Sequence, residues 1–161
     1  MNYASIVPLI GGETIAMQNV FKKKPEYILS YDVFKANDNH LVEYYKGEVP
    51  YHLLGDNRSY NLPSVDVINT VCPCAGLSSL NTSASSDAAA NDWMSTSANY
   101  VLGTLKPKVF WGENAPRLAS KMGEPVVEGL REIGKRNGYT FSLYKTKSLL
   151  HGLGQVRDRS F

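Results

Sequence analysis

The chain has 161 residues, 43% of them apolar, with 17 lysines and arginines against 15 aspartates and glutamates for a formal charge of +2. That length suits one compact core burying roughly two-thirds of the unfolded surface, while so balanced a charge excludes a wholesale electrostatic nucleic-acid binder and leaves only local contacts with an acidic polymer. Met1-Asn2-Tyr3-Ala4-Ser5 carries no basic region and the apolar run Ile6 to Ile10 stops at Gly11-Gly12, which argues against a signal peptide or a membrane partner and points to the cytoplasm.

The elements follow in chain order. Ala4 to Leu9 reads as a strand, and Glu13 to Phe21 as a helix with Ile15, Ala16 and Val20 on one face. Tyr27 to Tyr31 is a second strand, and Val33 to Tyr45 a helix with Phe34, Leu41 and Tyr45 at helical spacing. Pro50 to Leu54 is a short strand, and Val65 to Val71 a β-branched one running straight into Cys72. Ser78 to Ala90, rich in serine and charged only at Asp87, predicts a long mobile loop. Asp92 to Leu105 predicts a helix, Val109 to Trp111 a strand, Glu124 to Asn137 a helix closed by Gly138, and Thr140 to Lys147 a last strand. Alternation of this kind predicts an α/β fold, a mainly parallel sheet with helices on both faces. Ligands of such sheets gather at the carboxyl ends of strands, where Cys74 and Glu113 both fall. No internal repeat or linker interrupts the pattern.

The two cysteines, Cys72 and Cys74, are separated by one residue, and a disulfide across so short a gap would be strained, so both are expected to be reduced thiols. With His40, His52 and His151 they invite a metal reading, but Cys-x-Cys lacks the usual two-residue gap and no second ligand pair follows. No metal is expected.

Three segments carry chemistry. Pro73-Cys74-Ala75-Gly76-Leu77-Ser78 places a thiol at a strand end, behind a proline and ahead of the polar loop. Such a cysteine is a small buried hydrophobe or, where nearby positive charge favours the thiolate, a nucleophile. Glu113-Asn114-Ala115 supplies a carboxylic acid after the next strand, either a solvated residue leading into a helix or a general acid. Gln155-Val156-Arg157-Asp158-Arg159 places two guanidiniums at i and i+2, on one face of a strand. They form either a solvated basic edge or a pair of donors around an anion or polar ring. Lys22-Lys23-Lys24, Lys145 and Lys147 are solvated faces or phosphate contacts in the same sense. A cysteine that attacks a pyrimidine ring needs such helpers: an acid for the ring nitrogen and fixed donors for the exocyclic oxygen.

In this order and wording the segments resemble the DNA (cytosine-5)-methyltransferase family, which carries Pro-Cys-x-x-x-Ser, Glu-Asn-Val and Gln-x-Arg-x-Arg segments. Leu105-Lys106-Pro107-Lys108-Val109-Phe110, Gly138-Tyr139-Thr140-Phe141 and Gly152-Leu153-Gly154-Gln155 are similar to the family's intervening text. The resemblance runs from about Ser5 to Phe161 and is strongest after Val65. It implies a Rossmann-like, S-adenosylmethionine-dependent methyltransferase fold and transfer of a methyl group to C5 of cytosine in DNA. Cys74 would add to C6 of a flipped-out cytosine, Glu113 would protonate or hydrogen-bond ring N3, and Arg157 and Arg159 would hold the base and its oxygen. Asn114, Ser78 and Gln155 would shape the substrate pocket.

For the cofactor, the resemblance implies a turn built of Phe-x-Gly-x-Gly-Gly. Here Val7 stands for the phenylalanine, Leu9 for the first glycine, and Pro8, Gly11 and Gly12 complete the turn. Asp32 would meet the ribose hydroxyls, unless it is an ordinary loop aspartate capping a helix or turn; Asp56, in a Gly55-Asp56 turn, would meet the adenine amino group, and Pro73 would also contact the cofactor. Ala75, Ala115 and Gly154 replace the family's glutamine, valine and proline. The sequence is expected to form a single catalytic domain over 1–161 without the family's target-recognition domain and final helix. Action on double-stranded DNA would then need a second subunit carrying target recognition or a further C-terminal region. The alternative is a catalytically inactive methyltransferase-fold protein that binds DNA, cofactor or protein as a regulator. A thiol-redox or metal protein built on Cys72 and Cys74 would have no use for Glu113-Asn114 or the paired arginines.

Overall fold

The computed structural model describes residues 1–55 and 60–161, with Asn39 described by its backbone. The chain divides into two compact units, Met1–Val71 with Leu105–Trp111, and Cys72–Thr104 with Gly112–Phe161.

The first unit is built on a sheet in the order β3-β2-β1-β4-β5, from β1 (Tyr3–Ile6), β2 (Ile28–Tyr31), β3 (Tyr51–Leu54), β4 (Val67–Thr70) and β5 (Val109–Gly112). The β1/β2, β1/β4 and β2/β3 pairs are parallel, with Ser5 beside both Ile28 and Asn69. This is the Rossmann-like α/β arrangement that the alternating pattern predicts. The inner strands β1, β2 and β4 are short and carry little alternation, because residues of both faces are buried: Tyr3, Ser5, Ile28 and Val67 share one side, and Ala4, Ile6, Leu29 and Ile68 the other.

Helices α1 (Gly12–Phe21) and α2 (Lys35–Tyr44) follow β1 and β2. The buried stripe of α1 is Thr14 and Met17, with Phe21 packed against Tyr3 and Val67, rather than Ile15, Ala16 and Val20; Val20 is exposed. Hydrophobicity misleads there because Thr14 is the residue that reaches inward, sharing a hydrogen bond with Ser5 Oγ at 2.8 Å, and Ser5 in turn donates to Asn69 Oδ1 at 2.5 Å. The predicted strand Ala4 to Leu9 ends at Ile6, since Val7 (φ 48°) and Leu9 (φ 50°) leave the extended region. The helix predicted from Val33 opens instead as a 3-10 turn, Asp32–Phe34, before α2 begins.

The second unit holds α3 (Asp92–Tyr100), which runs on into a π-helical turn Val101–Leu105, and α4 (Glu124–Arg136). Pro125 sits in the first turn of α4, where its missing N–H costs nothing, and Gly138 at φ 81° follows its end. Its core is Cys72, Leu77, Met94, Ala115, Leu118, Val126 and Val127. The strand predicted over Thr140 to Lys147 shrinks to β6 (Lys145–Lys147), which pairs antiparallel with β7 (Asp158–Ser160) in a separate sheet. The predicted loop Ser78 to Ala90 contains no strand, and it is laced together by hydrogen bonds: Asn81 Nδ2 to the Ala75 carbonyl (2.8 Å), Ser85 N to Gly76 (3.0 Å), and Asn91 Nδ2 to Ser85 and Ser86 (2.9 and 2.8 Å). Among the described residues no helix is long and apolar enough to cross a membrane.

Candidate active site

Cys72 and Cys74 stand in different surroundings, and neither is in a disulfide. Cys72 is buried, its Sγ within reach of the Trp93 carbonyl (3.4 Å) and Ser97 Oγ (3.6 Å), so it serves packing. Cys74 is half-buried against the apolar core of the second unit, in a turn closed by Leu77 N donating to the Cys74 carbonyl at 3.0 Å. Fully buried Leu77 anchors that turn, and Gly76 permits it, because a Cβ there would overlap Asn91 Oδ1 and touch Ala88 Cβ.

The acid follows β5. Glu113 forms an ion pair through Oε1 with Arg159 Nε, and the two side chains are only 11% and 21% exposed. So sheltered a pair is oriented far more firmly than a surface ion pair. Arg159 also donates from Nη1 to the Asp158 carbonyl at 2.7 Å. Arg157 precedes β7, and its side chain is exposed, as is that of Gln155. Their carbonyls accept from Ser148 Oγ at 3.1 and 2.6 Å. The two arginines predicted to share a strand face are therefore in unlike settings: Arg159 on the strand against Glu113, Arg157 outside it.

Asn114 is the junction. Its backbone exchanges hydrogen bonds with Ser160 at 2.9 and 3.1 Å, fixing the acid beside the arginine strand. Its side chain, 1% exposed, donates to the Cys72 carbonyl (3.4 Å) and Met94 Sδ (3.3 Å) and accepts from Ala115 N (2.8 Å). Arg117 Nη1 donates to the Ser78 carbonyl at 3.1 Å, and Ser78 Oγ accepts from Leu80 N at 3.3 Å. The Pro-Cys turn, the Glu-Asn segment and the arginine strand thus form one hydrogen-bonded assembly inside the second unit. Asn91 and Arg117, which clamp the serine-rich loop, went unnoticed in the sequence, since neither belongs to a motif. Their only signal is their position at the foot of a helix or 3-10 turn.

Of the residues expected at the cofactor, Pro8, Gly11, Gly12 and Asp32 belong to the first unit and Pro73 to the second. Gly11, at φ 85°, precedes α1 and donates its amide to the Pro8 carbonyl at 2.9 Å. A Cβ at Gly11 would lie 2.5 Å from Leu41 Cδ1, whereas a Cβ at Gly12 would meet nothing within 4 Å. Gly11 is thus required by packing and conformation, and Gly12 leaves open space at the mouth of α1, the kind of cradle a ligand backed by a helix N-terminus needs. Asp32 is exposed just past the end of β2. These features fit an adenosyl cofactor. Asp56 lies outside the described residues. Among the described residues no group of three or more histidine, cysteine or carboxylate side chains could hold a metal ion.

A crystal structure from E. coli, described as a DNA modification methyltransferase encoded within a prophage, superposes with a TM-score of 0.73 at 17% identity over 99% of this chain and 45% of that one. That likeness shows an α/β fold, and this chain spans less than half the length of the solved example. The model of the C-5 cytosine-specific DNA methylase family matches residues 1–161, and the chain belongs to that family. A search of curated proteins finds no match.

Proposed function

We propose that this chain supplies the catalytic machinery for transferring a methyl group from S-adenosylmethionine to C5 of cytosine in double-stranded DNA, through a covalent adduct at Cys74. The observation that carries this reading is the Glu113–Arg159 ion pair tied through Asn114 to the segment that bears Cys74. In the proposed reaction the Cys74 thiolate bonds to C6 of a cytosine turned out of the duplex while Glu113 protonates or hydrogen-bonds N3, so the C5=C6 electron pair is directed to C5. Arg159 orients the Glu113 carboxyl and offers its remaining N–H groups to the base oxygen, and Arg157 contributes from the rim. Pro8, Gly11, Gly12 and Asp32 would hold S-adenosylmethionine, which when bound would supply an electrophilic methyl group to C5 and leave as the neutral thioether. Loss of the C5 proton to a base and departure of the Cys74 sulfur restore the ring. Turning the base out costs a few kcal/mol, which contacts to DNA must offset.

Because the chain covers 45% of its solved neighbour, we propose that target recognition comes from a second subunit or a further C-terminal region. The test is transfer of labelled methyl from S-adenosylmethionine to a cytosine-bearing duplex, by this chain together with a candidate partner or within a longer polypeptide. Label at cytosine C5 supports the reading, and none under saturating cofactor and DNA refutes it. A second reading, an inactive regulator that keeps the fold, draws on the altered turn with Val7 and Leu9 at positive φ. Calorimetry separates the two: tight binding of S-adenosylmethionine favours the enzyme, and no binding at high concentration favours the regulator.

A further inference from the structure

Asn91 stands immediately before α3, in the position where an asparagine usually turns its side chain back to accept from the helix's own free amides. Here it makes no such bond. The side chain is buried and reaches instead into the serine-rich loop, where Nδ2 donates to the carbonyls of Ser85 and Ser86 at 2.9 and 2.8 Å. Two carbonyl partners leave Nδ2 as the only end that can face them. Oδ1 is therefore turned toward Gly76, where a Cβ would overlap it, and finds no donor among the described residues. A cap forgone and a buried acceptor left unpaired both count against this residue as a stabiliser of α3. What the arrangement achieves lies in the Pro-Cys turn. The loop that Asn91 holds supplies the donors for the two carbonyls that follow Cys74: Asn81 Nδ2 to Ala75 at 2.8 Å, and the Ser85 amide to Gly76 at 3.0 Å. Leu77 N donates to the Cys74 carbonyl itself at 3.0 Å, so three successive carbonyls are fixed, two of them by the loop. Ser85 is the shared residue, since its carbonyl accepts from Asn91 and its amide donates to Gly76.

We propose that Asn91 is a positioning residue for Cys74: by holding the carbonyls of Ser85 and Ser86 at the foot of α3, it keeps the loop's donors on the Ala75 and Gly76 carbonyls and so fixes the turn that presents the thiol. This rests on the reading that Cys74 is the nucleophile. Asn91→Asp keeps the shape and sets acceptors against two carbonyls, and Asn91→Ser can still cap α3 but is too short to span both. Amide exchange reads the hold without DNA or cofactor. It should be at least about tenfold faster at Ser85 in both variants than in wild type, with the Val127 amide of α4 unchanged. Wild-type exchange at Ser85 would overturn the proposal, and so would an equal acceleration at Val127, which marks general loosening. In methyl transfer with the recognition partner or region present, kcat should fall at least about tenfold while the KM for S-adenosylmethionine stays within about threefold of wild type. Full kcat beside fast Ser85 exchange would overturn the positioning role. Gly76→Ala presses on the same contact from the turn, and its loss of kcat should shrink when Asn91→Ser is present; losses that multiply in full would overturn the proposal. Should wild type itself transfer no methyl group, the Cys74 reading falls, and amide exchange still decides whether Asn91 holds the turn.

Discussion

The β1–α1 turn and the Glu113 junction solve opposite problems. At the junction the proposed chemistry resides in side chains, and a carboxylate, an amide and a guanidinium are each locked through their neighbours: Glu113 to Arg159, Asn114 to Ser160 and Cys72. At the turn the proposed working surface is backbone. Leu9 stands where the family has glycine, yet its φ of 50° is a glycine's. On the proposed reading, side chains can change where only the path of the chain matters, and they cannot where they are to touch the reacting atoms.

The largest effect that would sharpen this contrast belongs to Cys74→Ser. A hydroxyl is a far weaker nucleophile, so methyl transfer should fall by roughly 10³-fold or more with an unchanged thermal midpoint. Retained transfer would break the assignment. Next, Arg159→Ala removes the ion-pair partner of the sheltered Glu113 carboxylate and should cost about 1–3 kcal/mol of stability along with most of the activity. Arg157→Ala, at an exposed position, should leave stability within about 0.5 kcal/mol. Denaturant melts of the two variants side by side decide whether the arginines are as unlike as their settings.

On the turn, Gly11→Ala should destabilise by about 2–4 kcal/mol, since it combines a clash with Leu41 and a left-handed backbone. Gly12→Ala should be neutral or slightly stabilising in the same melts while weakening cofactor binding, because its Cβ enters open space rather than protein. The smallest effect concerns Asp38, which lies buried on α2. Burial raises its folded-state pKa, so its contribution to stability is fully present below the unfolded value and is lost as pH rises through the folded one. Asp38→Asn should therefore raise the thermal midpoint more at pH 7 than at pH 4, and a pH-independent difference would contradict that sign.

The parallel sheet was legible because its strands are short apolar and aromatic runs separated by helical spacing, and β3, β4 and β5 fall within two residues of where Pro50 to Leu54, Val65 to Val71 and Val109 to Trp111 place them. The buried stripe of α1 was not, because Thr14 turns inward to bond Ser5 on β1, which is itself bonded to Asn69 on β4, far away in sequence. Thr140 to Lys147 looked like one strand, but only Lys145–Lys147 find a full partner in β7. At the candidate site, the motifs named residues but not their geometry. That Arg159 takes Glu113 while Arg157 remains exposed depends on where β7 begins.

The most direct test of the central claim is the intact mass of the protein after incubation with S-adenosylmethionine and a duplex containing 5-fluorocytosine, in the presence of the recognition partner or region. Fluorine at C5 blocks the final proton loss. The account predicts a covalent protein–DNA species that maps to Cys74 and disappears in Cys74→Ser. Methyl transfer to ordinary cytosine with no trapped species, or a species that maps elsewhere than Cys74, would contradict it.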